Sequence, residues 1–218
     1  MKVQDKVVIV TGATSGIGRE TAALLSTHQA TVVLASWQLE ELRRLERTMK
    51  GVLAVPTDLM LSADILRLVM KTREELGRID AVVNCASRTV FEPVIKTVVE
   101  DYRNLLDLNV IAPLNVMQTV APVMRAQGGG AIVNVGALAT RAYAPGFGAY
   151  ASTKEALNVL TMTARKELAK DNIKVSMVLA GLTSADLDHG VNETPAARVA
   201  ATILKVLESG AAETEVAA

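Results

Sequence analysis

Two side chains in the stretch NVGALATRAYAPGFGAYASTK, residues 134–154, have types and a spacing suited to proton transfer. Tyr150 and Lys154 are four residues apart, so on a helix both project from the same face. A phenol with a pKa of about 10 is a poor base at neutral pH, and a nearby cation stabilises its phenolate and lowers that pKa. Because an ordinary exposed helix pair has the same spacing, the rest of the chain must decide between an active site and a surface pair.

A glycine-rich turn, TGATSGIGRE at residues 11–20, follows the first apolar strand of the sequence. Gly12, Gly16 and Gly18 let the backbone approach a ligand, and a helix starting near Gly16 would offer N–H groups and a positive dipole end to a pyrophosphate. No Gly-Lys-Ser/Thr follows, which excludes the phosphate-binding loop of nucleoside triphosphatases. A tight turn without a ligand is the alternative, but the position after the first strand favours a dinucleotide site. Hydroxyl donors are supplied by Thr11, Thr14 and Ser15.

Short β-branched segments alternate with longer amphipathic segments along the chain. Near-continuous apolar strands alternating with helices are typical of an α/β fold with a doubly wound parallel sheet, whose right-handed crossovers place helices on both faces. We expect one domain over residues 1–218, with a short substrate-loop region and a closing helix over about 182–218. The tail GAAETEVAA is either a last edge strand or a frayed end. The predicted strands are residues 6–12, 31–35, 52–56, 79–84, 131–135 and 173–179.

The composition limits the class of protein. Half of the 218 residues are hydrophobic but only 3% are aromatic, which predicts an aliphatic core. Lysine plus arginine equals aspartate plus glutamate, at 23 each, so no net positive field attracts nucleic acid or a membrane surface. The single cysteine, Cys85, cannot form a disulfide within the chain and is predicted to be a packing residue. With no signal-peptide pattern and no apolar run of roughly 20 residues, we expect a cytoplasmic protein.

These motifs, in this order and spacing, resemble those of the short-chain dehydrogenase/reductase family over about residues 5–186. The family's TGxxxGxG loop is matched from Thr11 to Gly18, and its Tyr-x-x-x-Lys pair is matched by Tyr150 and Lys154. Its Asn-Asn-Ala-Gly segment is matched only in part by NCAS, at residues 84–87. The resemblance implies a single Rossmann domain that binds NAD(H) or NADP(H), and hydride transfer between the nicotinamide and an alcohol or carbonyl.

The resemblance also implies roles for individual residues. Tyr150 would donate or accept the proton, and Lys154 would lower its pKa and hold the nicotinamide ribose. Asn109 would carry a water that connects Lys154 to solvent, and these three are the predicted catalytic residues. No metal is expected. The predicted cofactor-binding residues are Gly12, Thr14, Ser15, Gly16, Ile17, Gly18, Ser36, Trp37, Asp58 (facing the adenine), Asn84, Ala86, Tyr150, Lys154, Gly181 and Thr183.

Two positions depart from the family pattern. The family has a serine thirteen residues before the tyrosine, where its hydroxyl bonds the substrate carbonyl, and this chain has Ala137. Losing one such donor typically costs about 10²–10³ in rate, so slow turnover is expected unless Thr140 or Tyr143 supplies a hydroxyl. The family's Pro-Gly after the sixth strand is Ala180-Gly181. The threonine that holds the cofactor carboxamide aligns with Ala185, with Thr183 and Ser184 close enough to replace it.

The end of the second strand bears on the choice of cofactor. An acidic residue there would bind the adenosine ribose and favour NAD(H), but the aligned residue is Ser36. The arginine that would hold a 2′-phosphate is also absent, because Trp37 and Ser15 occupy the two basic positions. Trp37 either stacks on the adenine or covers the start of the helix. Since no carboxylate repels a phosphate, NADP(H) is favoured over NAD(H).

The region after the sixth strand, LTSADLDHGVNETPAARVAA, is short for a substrate lid and predicts an open pocket for a loose or bulky substrate. Tyr143 and Phe147 are candidate pocket walls. The resemblance implies a small carbonyl or alcohol substrate, with no nucleic acid or membrane partner. It also implies a homodimer or homotetramer formed through two long helices, about 97–126 and 149–170.

Two functions stay open from the sequence. The first is an NAD(P)(H)-dependent oxidoreductase, slowed by the missing serine, that interconverts a carbonyl and an alcohol through Tyr150. The second is a dinucleotide-binding relative without catalysis, with a regulatory or scaffold role. Ala137 and Ala185 favour the second, whereas the retained Tyr150 and Lys154 favour the first, because a scaffold needs neither residue.

Overall fold

A single seven-stranded parallel sheet forms the centre of the protein, in a computed structural model that describes residues 1–181 and 194–216. The strand order is β3-β2-β1-β4-β5-β6-β7, which confirms the predicted doubly wound α/β architecture. The strands are β1 Val7–Thr11, β2 Thr31–Ser36, β3 Val52–Pro56, β4 Ala81–Asn84, β5 Gly130–Ala137, β6 Ile173–Ala180 and β7 Glu213–Val216.

Helices connect the strands and cover both faces of the sheet. Short 3₁₀ turns occur at Val94–Lys96 and Ala169–Asp171, and a π-helical turn occurs at Asp107–Ile111. The α-helices are α1 Gly16–Thr27, α2 Leu39–Thr48, α3 Ser62–Leu76, α4 Val99–Leu106, α5 Ala112–Ala126, α6 Ala139–Ala142, α7 Gly148–Leu168 and α8 Ala196–Ser209.

Two aliphatic cores lie on opposite faces of the sheet, because alternate strand residues point to opposite sides. On one face, alternate residues of β1, such as Val8 and Val10, pack with α1, α2 and α8. On the other face, Ile9 and Val82 pack with α3 and α5, and residues of α7 close that side. The central strands are buried along their whole length, which explains their continuous β-branched sequence.

The structure refines two of the predicted elements, and it shows how the chain turns before β5. The tail contains a real edge strand, β7, which pairs in parallel with β6. The expected helix over 97–126 is a helical run that the π-helical turn divides into α4 and α5. The turn at 128–130 forms because Gly128 and Gly129 have φ values of +89° and +138°, which reverse the chain before β5.

The strand order places a crevice at the carboxyl end of the sheet. From β1 the chain builds outward to β3 on one side, and then returns to add β4 on the other side of β1. Loops that leave β1 and β4 therefore diverge in opposite directions, and ligands of open α/β sheets bind in the crevice between them.

Candidate active site

A cavity of about 470 Å³ opens at this crevice and collects most of the predicted site residues. Gly18, Asn84 and Asn109 lie behind its wall, and Thr183 is outside the residues that the structure describes. The cavity is lined by Gly12, Thr14, Ser15, Gly16, Ile17, Ser36, Trp37, Asp58, Ala86, Tyr150, Lys154 and Gly181, and by unpredicted residues such as Gln38, Met60 and Ser87.

The glycine loop packs tightly against the turn that follows β4. Gly12 has a φ of +64°, and a Cβ there would lie 2.9 Å from the backbone of Ala86. A Cβ on Gly18 would overlap the carbonyl oxygen of Gly12. The Oγ1 atom of Thr11 accepts hydrogen bonds from the backbone N–H groups of Cys85, at 3.2 Å, and Ala86, at 3.4 Å. The loop therefore brings the amino end of α1 to the cavity wall with no room for side chains at these glycines.

Neutral hydroxyl and amide groups form the end of the cavity near β2. Thr14 donates a hydrogen bond from Oγ1 to Oε1 of Gln38 at 2.6 Å. Because that uses the only hydroxyl proton of Thr14, Ser36 must donate the bond that joins the two hydroxyl oxygens at 2.8 Å. The N–H of Gln38 in turn donates to Ser36 Oγ at 3.2 Å.

Trp37 and Asp58 stand at the same end of the cavity. Trp37 is 74% exposed, so its ring covers little of the protein, and it is one of the residues that line the cavity. Oδ1 of Asp58 accepts the N–H of Met60 at 3.0 Å, which fixes the carboxylate after β3.

The nearby arginines are already paired with glutamates of α2. Arg43 contacts Glu40 at 3.0 Å, and Arg44 contacts Glu41 at 2.5 Å. Arg19, on α1, lies 3.7 Å from Glu41. The hydrogen bond from Arg44 lowers the pKa of the Glu41 carboxyl, so this pair stays charged on the surface.

Tyr150 and Lys154 lie one turn apart on α7 and are both buried, at 5% and 3% exposure. The Nζ atom of Lys154 donates a hydrogen bond to the carbonyl oxygen of Val135 at 3.0 Å. The same nitrogen lies 5.8 Å from the centroid of the Tyr150 ring. The sequence therefore correctly placed the two side chains on one face, and strand β5 fixes the ammonium beside the phenol.

Asn109 sits in the π-helical turn, where its amide group is used completely by protein atoms. Oδ1 accepts from the N–H of Arg88 at 2.9 Å and from Oγ of Ser87 at 3.2 Å. Nδ2 donates to the carbonyl of Arg88 at 2.9 Å and to Oγ1 of Thr153 at 3.0 Å. The hydroxyl of Thr153 donates a hydrogen bond to the backbone carbonyl of Tyr150 at 2.7 Å. Asn109 thus joins the β4–α4 loop, residues 85–98, to the helix that carries the tyrosine.

Asn84 belongs to a second buried network. Its Nδ2 donates to Oδ1 of Asn134 on β5 at 2.8 Å, and Asn134 donates to Oγ1 of Thr161 on α7 at 2.8 Å. These bonds satisfy polar groups between β4, β5 and α7. The side chain of Asn84 is therefore bonded to β5, and Asn84 is not among the residues that line the cavity.

Ala137 ends β5 and packs against Tyr150 and Phe147 in a small buried cluster. The two candidates for a replacement hydroxyl are directed elsewhere: Thr140 donates to the carbonyl of Ala137 at 3.0 Å, and Tyr143 is 91% exposed. The surroundings of the tyrosine on this side are apolar.

The β4–α4 loop packs against the segment 143–148, which carries the predicted pocket-wall residues Tyr143 and Phe147, and the sequence did not reveal this contact. Phe91 packs edge-on against Phe147, with centroids 5.1 Å apart and an interplanar angle of 66°. The N–H of Glu92 donates to the carbonyl of Gly146 at 2.9 Å. A Cβ on Gly146 would collide with the Phe91 ring, and one on Gly148 would collide with Val94. The paired glycines around Phe147 were the only sequence signal of this contact.

Cys85 lies beside the glycine loop, partly buried and in contact with the core. Burial raises the pKa of its thiol to about 12.

Over the described parts of the chain, no group of three or more His, Cys, Asp or Glu residues could hold a metal ion. Within the same residues, the helices are too short or too polar to cross a membrane.

Comparison with known proteins gives consistent matches. The family model of short chain dehydrogenases matches residues 6–196. An uncharacterised oxidoreductase of Staphylococcus aureus (strain USA300) is 30% identical over 192 residues, covering 87% of this chain and 83% of that protein. An uncharacterised oxidoreductase of Staphylococcus saprophyticus is 32% identical over 192 residues, covering 86% and 78%. The structure of a short-chain type dehydrogenase/reductase from Mycobacterium ulcerans superposes with a TM-score of 0.89 at 25% identity, covering 99% of this chain and 89% of that chain.

Proposed function

The chain belongs to the short-chain dehydrogenase family, a family of oxidoreductases, and from this premise we propose that it interconverts a carbonyl and an alcohol by hydride transfer with NAD(P)(H). The observation that carries the proposal is the convergence of the glycine loop, Tyr150 and Lys154 on one cavity. A binding protein without catalysis would need the loop but not the buried pair.

The cavity suits a dinucleotide. Its volume lies in the range of about 300–1,000 Å³ that is usual for ligand pockets. Gly12 and Gly18 allow the tight turn, because a Cβ at either would collide with backbone atoms, and the first N–H groups of α1 lack intrahelical partners. The pyrophosphate would be held there, with the adenosine between Trp37 and Asp58 and the nicotinamide near Tyr150 and Gly181. When bound, the cofactor supplies or accepts the hydride.

Tyr150 would give a proton to the carbonyl oxygen during reduction and take it back during oxidation. Lys154, fixed by the Val135 carbonyl, places a positive charge beside the phenol and favours its ionised form. The pair is buried, so the charge acts across a medium of lower dielectric than water.

Asn109 supports this pair by position. Its hydrogen bonds to Arg88 and Thr153 keep the loop wall and α7 in a fixed relation. We propose that the water of the proton path is held by the backbone of the π-helical turn, since the side-chain amide is fully used.

Ala137 sets the expected level of activity. Without a second donor at the carbonyl oxygen, we propose slow turnover, lower by about 10²–10³ than with a hydroxyl there. This also keeps a second candidate function in view: a dinucleotide-binding relative with a regulatory or scaffold role, favoured by the apolar cluster of Ala137 and Phe147.

We propose a preference for NADP(H) over NAD(H), because Ser36 and its partners carry no carboxylate that would repel a 2′-phosphate. The preference should be small, since the neighbouring arginines are paired with glutamates. We also propose that the chain acts as one dinucleotide-binding domain within a homodimer or homotetramer.

The test measures cofactor binding by fluorescence titration, followed by NAD(P)H oxidation over a panel of ketones, quinones and aldehydes. Wild type should bind the cofactor and turn over slowly, and Tyr150→Phe should bind equally but lose turnover. Ala137→Ser should raise the rate at least tenfold. Cofactor binding without any turnover, unchanged by Ala137→Ser, would establish the binding protein, and no cofactor binding would remove both functions.

A further inference from the structure

Around Ala137, the other described hydroxyl groups near Tyr150 are already engaged by protein atoms. Three hydroxyl groups near the tyrosine are spent on backbone carbonyls of their own segment. Thr140 donates to Ala137 at 3.0 Å, Ser152 to Ala149 at 2.8 Å, and Thr153 to Tyr150 at 2.7 Å. Ser87, on the opposite wall, donates to Asn109.

This arrangement has a chemical consequence for the substrate. In reduction, the carbonyl carbon accepts a hydride from the reduced nicotinamide, the C=O π bond breaks, and the oxygen takes a proton from Tyr150. The products are an alcohol and the oxidised nicotinamide. Negative charge grows on the oxygen during this step, and Ala137 supplies no hydrogen bond to stabilise it where a serine would. The missing hydrogen bond slows reduction least for a substrate whose own substituent withdraws electrons from the carbonyl, because that substituent stabilises part of the charge.

Apolar side chains lie on the side of Tyr150 where Ala137 and Phe147 pack. Phe91 and Val94 are 66% and 69% exposed, although Phe91 lies against Gly146, just before α7, and Val94 lies against Gly148, the first residue of α7. Phe147, which Phe91 contacts, packs directly on Tyr150 and Ala137.

Fixed charges that could bind an anionic substrate are scarce in the same place. Lys154 is the only cation among the described residues of the cavity wall, and it is bonded to Val135. Arg88, on the β4–α4 loop, is 54% exposed and is paired with Asp101 at 4.0 Å, and Arg141, on the neighbouring helix α6, is bonded to Glu213 and Glu215. Among the described residues of this side, a substrate carboxylate or phosphate would therefore find no unpaired cation, and burying an anion without a partner is costly.

We propose that the substrate is a neutral, largely apolar carbonyl compound whose carbonyl is activated by an adjacent electron-withdrawing group, as in an α-diketone or a quinone. This inference rests on the proposed oxidoreductase function. It restricts that function to one class of carbonyl, and it assigns Phe91 and Val94 as walls that contact the substrate.

The first experiment compares kcat/KM for 2,3-hexanedione, 2-hexanone and 5-oxohexanoate in wild type and in Ala137→Ser. Wild type should prefer the diketone to 2-hexanone by about 10² and should not use the keto acid measurably. The serine should raise 2-hexanone reduction at least tenfold and diketone reduction less than about threefold, because only the plain ketone needs the added donor. The matched control is Ala131→Ser, a buried change on the same strand that is remote from the cavity. It should leave kcat/KM for 2-hexanone and for the diketone unchanged.

The second experiment tests the walls with benzil, a bulky diketone, and 2,3-butanedione, a small one. Phe91→Ala should raise the KM for benzil about fivefold, because the variant removes the apolar ring surface that the bulky substrate would cover, and should leave butanedione unchanged. Leu66→Ala, an exposed change on α3, should leave both KM values unchanged.

The outcomes separate the two proposals. Equal kcat/KM for diketone and ketone, an equal gain for both in Ala137→Ser, or preferred use of 5-oxohexanoate overturns the substrate class and leaves the oxidoreductase function standing. Cofactor binding with no turnover of any carbonyl overturns both.

Discussion

Gly18 shows how one residue can fix the geometry of the nucleotide loop. It is helical, so alanine would favour the helix, but a Cβ there would overlap the carbonyl oxygen of Gly12. We expect Gly18→Ala to lower the free energy of unfolding by about 1–3 kcal/mol, as overpacking does, and to weaken cofactor binding. Urea denaturation and fluorescence titration measure the two effects.

The control for this change is Gly77→Ala at the end of α3. Gly77 has a φ of +76° and no atom within 4 Å of the added Cβ, so alanine brings backbone strain but no collision. The free energy of unfolding of this variant should be about 1–2 kcal/mol lower than that of the wild type, and its cofactor affinity should be unchanged. Equal cofactor affinity in Gly18→Ala would contradict the proposed role of the loop.

Cys85 gives a prediction about pH. Burial raises the pKa of its thiol from an ordinary 9.0 to about 12, so the folded protein keeps the proton where the unfolded chain loses it. The associated stability is complete below pH 9 and is lost as pH rises towards 12. We expect a disulfide reagent at pH 9 to label the folded protein slowly and the urea-unfolded protein quickly. Rapid labelling of the folded state, absent in Cys85→Ser, would show that the thiol is not buried in solution.

At the residue scale, the sequence predicts side chains whose chemistry depends on local spacing. Tyr150 and Lys154 share a face because they are four apart on one helix, and the structure places both in the cavity wall. Gln38 and Phe91 escaped prediction because their roles depend on Thr14 and Phe147, which are 24 and 56 positions away. Contacts across such distances are set by tertiary packing, which local patterns do not encode.

At the scale of elements, the π-helical turn and α7 are joined by Thr153. It accepts from Asn109 and donates to the carbonyl of Tyr150. Thr153→Val keeps the shape of the side chain and removes its hydroxyl. We expect this variant to have a free energy of unfolding about 1–3 kcal/mol lower than the wild type and a lower kcat. Thr153→Ser retains the hydroxyl, so its stability and its kcat should be close to those of the wild type.

Denaturation and the pH profile of kcat distinguish positioning from simple packing. If Thr153 positions Tyr150, the valine variant should move the acidic or basic limb of the profile, and the serine variant should return it to the wild-type position. A profile unaltered by valine, with only stability reduced, would leave Thr153 a purely structural residue.

Element prediction was best for the central strands and weakest at interruptions. Ile9 and Val82 lie in continuous apolar runs that only a strand buried on both faces explains. The π-helical turn at Asp107–Ile111 left no such mark, because its residues are as helix-compatible as their neighbours. The structure was needed to locate this turn, which carries Asn109 and its hydrogen bonds.

At the scale of the whole molecule, exposed apolar side chains on the long helices bear on assembly. Ile111 is 51% exposed and Val159 is 58% exposed. We expect the wild type to be a dimer or tetramer by light scattering, and the pair Ile111→Glu with Val159→Glu to be a monomer, since buried charges without partners disfavour an interface. Met70→Glu, on α3, is the control and should keep the wild-type mass. A monomeric wild type would contradict this assembly.

The strand order also determines how a sheet of this kind can be completed during synthesis. The first strand made stays in the middle, and every later strand joins an edge that is still open, first through β3 on one side and then from β4 to β7 on the other. A nascent chain therefore never has to separate two paired strands to admit a third. The binding cavity, however, takes Ser36 from one side and Gly181 from the other. A ribosome-bound chain can thus build most of its sheet early, but the cavity that we propose for the dinucleotide is complete only after β6 has emerged.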